Sequence, residues 1–374
     1  MKINILQGAF LPVPPKRGGA IESAWHLLGL EFAKLGHNVT HFSRLCDDLP
    51  KNEFVDGVQY HRIPGSNAVK NPFLLKILEF PYVLRARRLM PKADIMVTHA
   101  FWAPIIFPPK RFGNIYVHVG RYPKGQLRLY GRASCLQVPT NAIANACRRQ
   151  ASDQVQKVSV IPYPLPWNVD ENLDLKNRKK MILYAGRLHP EKGLLQLING
   201  WGGIPHELTR EWTLRLIGPW REEEGGGGLS FLKQIKQEIS KCRNRVEIVD
   251  PVFDRKALKK EMRTARIFVY PSLAEKGETF GLAVLEAMSC GCVPIVSNLP
   301  CFSDFIDFNK QSYCLGDASQ VNDIQQSIGL TLKRAITADP AKLDQMATSA
   351  WLDSKEYELS KIAKKYTKDF SSLL

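Results

Sequence analysis

Two short segments gather residue types able to hold a phosphorylated ligand. Ala185-Gly186-Arg187-Leu188-His189-Pro190-Glu191-Lys192-Gly193 sets two cations, Arg187 and Lys192, around a tight turn. Cations so placed can neutralise a diphosphate; the alternative is a solvated loop with ordinary surface charges. Glu278-Thr279-Phe280-Gly281-Leu282-Ala283-Val284-Leu285-Glu286 sets one carboxylate before an apolar segment and one within it. Thr279 suits the N-cap of a helix running to Gly291. The free amides of such an N-terminus face a phosphate, and Glu278 and Glu286 can accept hydrogen bonds from the paired hydroxyls of a ribose or hexose. A glutamate in so apolar a setting needs a partner, unless it lies on an exposed face.

Other candidates are weaker. Arg17-Gly18-Gly19 follows the first apolar segment, where glycine lets backbone approach a ligand. The G-x-G-x-x-G fingerprint is absent there, and a plain flexible turn explains the pair equally well. His118, in Tyr116-Val117-His118-Val119-Gly120, and His99, in Thr98-His99-Ala100-Phe101-Trp102, each end an apolar run, where a lone histidine is more often structural. No D-x-D pair occurs in the chain, so a carboxylate-held Mg²⁺ is not expected. No side chain stands out as a covalent nucleophile. The eight cysteines, including the C-x-C of Cys290 and Cys292, read as reduced thiols and small core residues.

These residues need a scaffold, and the patterning supplies one. Lys2–Gly8 reads as a buried strand, then a Pro- and Gly-rich loop, then a helix over Ala20–Leu35 ended by Gly36. Asn38–Phe42, Ile95–Thr98 and Ile115–Val119 read as further strands. The same alternation restarts at Met181–Ala185, with a helix from Gly193 and strands at Trp212–Ile217, Val246–Val249, Ile267–Tyr270 and Val293–Ser297. Alternating strands and helices predict parallel α/β sheets, and two series predict two doubly wound domains. The prolines at 162, 164 and 166 and the polar run Asp170–Arg178 predict a linker. Glu222–Gly228 predicts a mobile surface loop, and Leu352–Leu374 a basic helical tail.

Composition sets the outer limits. The chain has 374 residues, 44% apolar and 24% charged, as in ordinary globular proteins. No stretch approaches the ~18 apolar residues of a membrane span. The N-terminus reads as a strand with no signal peptide, and no repeat suggests a solenoid. The net charge of +16 is uneven: residues 1–165 hold 22 Lys and Arg against 9 Asp and Glu, the remainder 30 against 27. A basic first half implies an anionic partner. Asn71–Lys92 mixes Phe, Leu, Ile and Tyr with Lys76, Arg85, Arg87, Arg88 and Lys92. Such a segment can rest on an anionic membrane; the alternative is a core helix with a snorkelling basic rim. No nucleic-acid motif accompanies the charge.

Taken in order, the motifs resemble the GT-B glycosyltransferases, specifically the large retaining family 4. The A-G-R-L-x-x-E-K-G string matches that family in full, and so does E-x-F-G-x-x-x-x-E from Glu278 to Glu286. Gly18-Gly19 with Glu22 resembles its G-G-x-E-like segment, with a spacing of its own. Pro271-Ser272, Ala287-Met288, Gly291 and Pro294 also fit, so the resemblance covers about residues 2–310. It implies an α/β chain of GT-B fold, two doubly wound Rossmann-like domains facing a central cleft. Residues 1–165 would bind acceptor, 166–350 the nucleotide-sugar donor, and a helix in 351–374 would pack back toward the first domain. It implies that Arg187 and Lys192 bind the donor diphosphate, Glu286 the nucleotide ribose and Glu278 the donor sugar. The amides around Phe280, Gly281 and Leu282 would face sugar and phosphate, Gly18 and Gly19 the phosphates, and Asp250-Pro251-Val252 the nucleobase. His118 would lie beside the donor sugar, with His99 a weaker candidate for the acceptor cleft. Two positions depart from the pattern: Tyr163 stands where the family usually has Asn, and Pro300-Cys301 replaces a common Gly-Gly pair.

The resulting expectation is a metal-independent, retaining hexosyltransferase. Its donor would be a UDP-sugar, with UDP-glucose the first choice. Its acceptor would be a glycan or lipid-linked glycan in polysaccharide biosynthesis. The expected location is the cytoplasm, with peripheral contact to the inner face of the membrane. The alternatives are a nucleotide-sugar epimerase on the same fold and a non-catalytic glycan-binding scaffold.

Overall fold

The computed structural model describes residues 1–15, 19–69, 71–315 and 321–374; Arg17 and the site candidate Gly18 lie outside the described residues. The chain divides into two compact units, Met1–Pro166 with Tyr357–Leu374, and Trp167–Glu356.

The first unit holds an eight-stranded sheet. Its strands are β1 (Lys2–Leu6), β2 (Asn38–Arg44), β3 (Asn52–Val55), β4 (Val58–Ile63), β5 (Ile95–Thr98), β6 (Asn114–His118), β7 (Cys135–Val138) and β8 (Val158–Val160). Their order is β3-β4-β2-β1-β5-β6-β7-β8, parallel throughout except for the β3–β4 hairpin. β5 and β7 are buried along their whole length, as expected of strands covered on both faces. The helices are α1 (Ala20–Lys34), α2 (Pro72–Leu89), α3 (Ala103–Ile106), α4 (Pro109–Phe112) and α5 (Asn141–Gln150). β1 pairs with β2 on one side and β5 on the other. The winding therefore reverses between β1 and β5, and open α/β sheets bind ligands at the carboxyl ends of strands at such a reversal.

The second unit repeats the logic with six parallel strands: β9 (Lys179–Ala185), β10 (Thr213–Ile217), β11 (Val246–Val249), β12 (Ala265–Tyr270), β13 (Val293–Ser297) and β14 (Tyr313–Leu315). Their order, β11-β10-β9-β12-β13-β14, reverses between β9 and β12. The helices are α6 (Leu194–Gly202), α7 (His206–Thr209), α8 (Gly228–Lys241), α9 (Arg255–Thr264), α10 (Leu282–Ser289), α11 (Val321–Ile336) and α12 (Pro340–Ser354). The loops after β9 and β12 hold both of the strings singled out above. The last helix, α13 (Leu359–Ser371), belongs to the first unit. It lays Ile362, Ala363, Tyr366 and Phe370 against Trp25, Leu28 and Phe32 of α1 in one buried cluster.

Three local expectations need correcting. The helix bearing Glu286 does not start from Thr279: Gly281 is its N-cap, in the left-handed region at φ 85, and the helix ends at Ser289. Phe302 fills the space a side chain at 281 would need, so only glycine fits both the conformation and the packing. Glu222–Gly228 is not an open loop. After one short turn, Gly228 starts α8, and side chains at 226, 227 and 228 would strike Trp220, Phe231 and Glu222 respectively. The third concerns Asn71–Lys92: α2 is amphipathic in its second half, while its first half, apart from the buried Glu79, is largely open. Tyr82, Val83 and Ala86 in the second half are buried, whereas in the first half Phe73 is 73%, Leu74 41%, Ile77 50% and Phe80 37% exposed.

Candidate active site

In the second unit, the loop after β9 runs against the loop after β10. Gly186 N donates to Ile217 O at 3.0 Å, and the Tyr184 hydroxyl donates to Arg187 O at 2.8 Å. The Arg187 guanidinium is aimed by two bonds, to Gly225 O at 2.7 Å and to Glu191 Oε1 at 2.6 Å. It remains 43% exposed, which leaves donors for a ligand. His189 accepts from Glu191 N, and the turn closes at Gly193, φ 69, where a side chain would strike Pro271 O. That contact brings the loops after β9 and β12 together.

Lys192 is driven inward by the same turn. Its Nζ donates to Glu278 Oε2 at 2.7 Å and lies 5.2 Å from the centre of the Tyr270 ring. The two side chains are 6% and 10% exposed, so this ion pair is almost wholly desolvated. Such a pair is costly to break by removing one partner. Phe280 is buried against Phe305. Gly281 then turns the chain into α10, whose first two amides, of Leu282 and Ala283, have no partner within the helix. Glu286 lies on α10 a little over one turn from that end. Burial pushes its carboxyl up to about 7, with Arg255, at the start of α9, the opposing charge. Val252 lies half-buried in the loop between β11 and α9. The structure thus joins Lys192 directly to Glu278 and sets Arg187, Gly281 and Leu282 on neighbouring loops. Glu286 faces Arg255, with no direct bond to the Lys192 pair.

In the first unit, Gly19 caps α1 in the left-handed region at φ 101, and a side chain there would meet Glu22 Oε2 at 2.8 Å. His99 and His118 both end strands at the carboxyl edge, with ring centres 6.4 Å apart. His99 Nε2 accepts from Gly8 N at 3.0 Å, and burial pushes its pKa down to about 3. His118 is held at both nitrogens. Gln137 Nε2 donates to Ile161 O at 2.7 Å, which leaves Gln137 Oε1 to accept from His118 Nδ1 at 2.5 Å. Nε2 of His118 then accepts from the Tyr163 hydroxyl at 2.8 Å. Burial pushes its pKa down to about 4, so this histidine is neutral. The departure at Tyr163 therefore acts on His118 itself.

Several contributors escaped the sequence reading: Glu191 beside Arg187, Tyr270 beneath Lys192, Arg255 opposite Glu286, and Gln137. Gln137 alone left a legible signal, a polar residue in an otherwise apolar strand, which must find partners when buried.

The family described as Glycosyl transferases group 1 matches residues 167–348. An uncharacterised glycosyltransferase of Methanocaldococcus jannaschii is 24% identical over 330 residues, 76% of this chain and 78% of that protein. Sucrose-phosphate synthase from Thermosynechococcus elongatus superposes with a TM-score of 0.78 at 18% identity, covering 100% of this chain and 98% of the other. Anabaena HepE, in complex with UDP and glucose, superposes with a TM-score of 0.71 at 18% identity, covering both chains fully. Residues 167–348 of the second unit match the group 1 glycosyltransferase family, and the chain shares the GT-B fold of the solved glycosyltransferases on which it superposes.

Proposed function

We propose that the chain transfers a hexose from a UDP-sugar, with retention of configuration, to a glycan or lipid-linked glycan in polysaccharide biosynthesis. The observation that carries this reading is the buried Lys192–Glu278 pair beside the N-terminus of α10, where the six-stranded sheet reverses. Arg187, Lys192 and the free amides of α10 supply fixed positive potential where a departing diphosphate needs it. No metal is required in this scheme, since two cations take that load. Glu278 is tied to Lys192, which suits a hydroxyl acceptor for the sugar better than a free nucleophile. Departure assisted by the leaving phosphate, with attack on the same face, then accounts for retention. His118 is the residue proposed beside the sugar. HepE binds UDP and glucose on the same fold, which supports UDP-glucose as the first donor to try.

Calorimetric titration with UDP, GDP and ADP in EDTA tests the donor site. Binding of one nucleotide, lost in Lys192→Ala, is the expected outcome. Binding of none would favour a glycan-binding scaffold. Proton NMR of the glycoside formed from UDP-glucose reads the configuration, and an inverted product would overturn retention.

We also propose a cytoplasmic protein whose first unit touches an anionic membrane through α2. The open side chains of Phe73, Leu74, Ile77 and Phe80 support it, as does the charge of that unit, 26 Lys and Arg against 11 Asp and Glu. No helix among the described residues is long and apolar enough to cross a membrane. Phe73→Ser/Ile77→Ser should cut sedimentation with anionic vesicles at least about fivefold; unchanged sedimentation would sink the contact.

A further inference from the structure

The first unit carries a run of positive charge with no acidic residue within it. From Ile95 to Ser152 the chain has eight Lys and Arg and no Asp or Glu. Four of the eight, Arg121, Lys124, Arg128 and Arg132, stand exposed on the loop between β6 and β7. Among the described residues, no carboxylate lies within ion-pair distance of any of the four.

The loop is not slack. Gln150 Oε1 accepts from Gly125 N at 2.6 Å, and its Nε2 donates to Pro123 O at 2.5 Å. Gln154 Nε2 donates to Leu127 O at 3.1 Å, and Lys157 Nζ to Gly131 O at 2.9 Å. Leu127 and Tyr130 are buried beneath. Arg128 gives one bond to Gln150 O and Arg132 one to Ile105 O, so each guanidinium keeps most of its five donors. Like charges fixed on one loop repel and destabilise it, and a rigid loop cannot relieve that by moving. The loop leaves β6 directly after His118, at the carboxyl edge. The charge of Arg121 there offsets part of the burial that raises the Glu22 and Tyr163 pKa values, and these two groups lie beside His99 and His118.

We propose that this loop binds the acceptor through its anionic groups, so that the acceptor is a glycan carrying carboxylates or phosphates. The proposal rests on the reading in which the first unit receives the acceptor. A lipid surface fits the loop less well than it fits α2, since Leu129 is the loop's one exposed large apolar side chain. Bidentate Arg–carboxylate and Arg–phosphate pairs suit a chain of sugar acids or sugar phosphates.

The test is fluorescence anisotropy at physiological salt, using labelled hexagalacturonate, a phosphorylated maltohexaose and neutral maltohexaose. Arg121→Gln/Lys124→Gln/Arg128→Gln/Arg132→Gln should weaken both anionic probes about tenfold, as four exposed pairs would. A charge-matched control, Lys51→Gln/Lys364→Gln/Lys365→Gln/Lys368→Gln, should weaken them less than about twofold. Arg121→Lys/Arg128→Lys/Arg132→Lys keeps the charge and should retain most of the binding, which separates lost charge from a disturbed loop. Equal losses in loop and control variants would show a general field and overturn the proposal. So would neutral maltohexaose bound as tightly as the anionic probes, or neither anionic probe bound. Binding to anionic vesicles alone, lost in the loop variant, would overturn it in favour of a membrane. If the probes bind as expected but no sugar is transferred from UDP-glucose, the transferase reading fails and the anion site stands.

Discussion

Glu286, proposed to hold the nucleotide ribose, shows how a buried carboxylate strains the protein that carries it. Its folded pKa of about 7 lies above the ordinary carboxyl value of 4.5 because burial disfavours the charge. Between those values the folded state holds more protons than the unfolded one, so stability falls as pH rises through that window. Glu286→Gln should therefore raise stability at pH 8 by about 1–2 kcal/mol, discounted for its partial exposure, and change it little at pH 5. The same variant should lose nucleotide binding. Urea melts at both pH values, beside calorimetry, check the trade; a variant destabilised at pH 8 would refute it. The histidines work in the opposite sense. His41, His99 and His118 all have pKa values lowered by burial. Below the ordinary value of 6.5 the unfolded state binds more protons, so stability present at pH 7 is lost as pH falls toward about 4. A first-unit melting transition unchanged between pH 6.5 and 4.5 would contradict the buried, neutral arrangement. Of these side chains, Glu286, Lys192 and Arg187 were readable because their spacing is local. Gln137, Tyr270 and Arg255 were not, because each reaches its partner from another strand or helix.

The turns between elements decide whether such side chains point anywhere useful. Thr279 looked like the cap of α10 because threonine is a good N-cap by intrinsic preference. Gly281 won because the chain must pass Phe302 with positive φ, a demand set by a residue beyond β13. The tetraglycine was misread for a related reason. Glycine runs usually signal slack, yet here the backbone packs face to face with Trp220 and Phe231, and Gly225 O receives Arg187. Gly226→Ala would put a Cβ onto the backbone carbonyl of Trp220. Backbone cannot yield as a flexible side chain does, so the cost should reach about 2–3 kcal/mol. Arg187 would lose its anchor with it, so nucleotide affinity should fall together with stability. Arg187→Ala separates the two: affinity falls and stability holds within about 0.5 kcal/mol, as for an exposed side chain. A Gly226→Ala protein that binds nucleotide normally would mean that the turn does not aim Arg187.

The chain as a whole distributes its tasks unevenly. The first unit carries a net charge of +15 and the second +1, counted over the divisions at Pro166 and Tyr357. Most strand positions and the parallel, doubly wound arrangement were legible because parallel strands buried on both faces leave apolar runs, whereas the strand order and the two reversals come from the structure. That the tail returns to the first unit was implied by the resemblance; which side chains it meets there was not legible, since an amphipathic, basic helix fits many surfaces equally. The structure gives α13 a specific one. Tyr366 sits edge-on to Trp25 with ring centres 5.1 Å apart, and Phe370 lies 5.5 Å from Phe32 and 4.8 Å from Tyr116. Tyr116 Oη donates to Asp369 Oδ2 at 2.5 Å, and Asn114 Nδ2 to Leu373 O at 2.8 Å. The first unit is thus closed by residues made some two hundred positions after the rest of its core, and it cannot complete that core until the second unit has been synthesised. Phe370→Ala removes a fully buried ring and should lower the stability of the first unit by about 3–5 kcal/mol. The second unit, whose core has no share in that cluster, should melt as before. Differential scanning calorimetry should then show the first-unit transition moved down and the nucleotide-stabilised transition unmoved. A shift of both by the same amount would mean that the two cores unfold as one cooperative body, and that the closing helix stabilises the second unit as much as the sheet it covers.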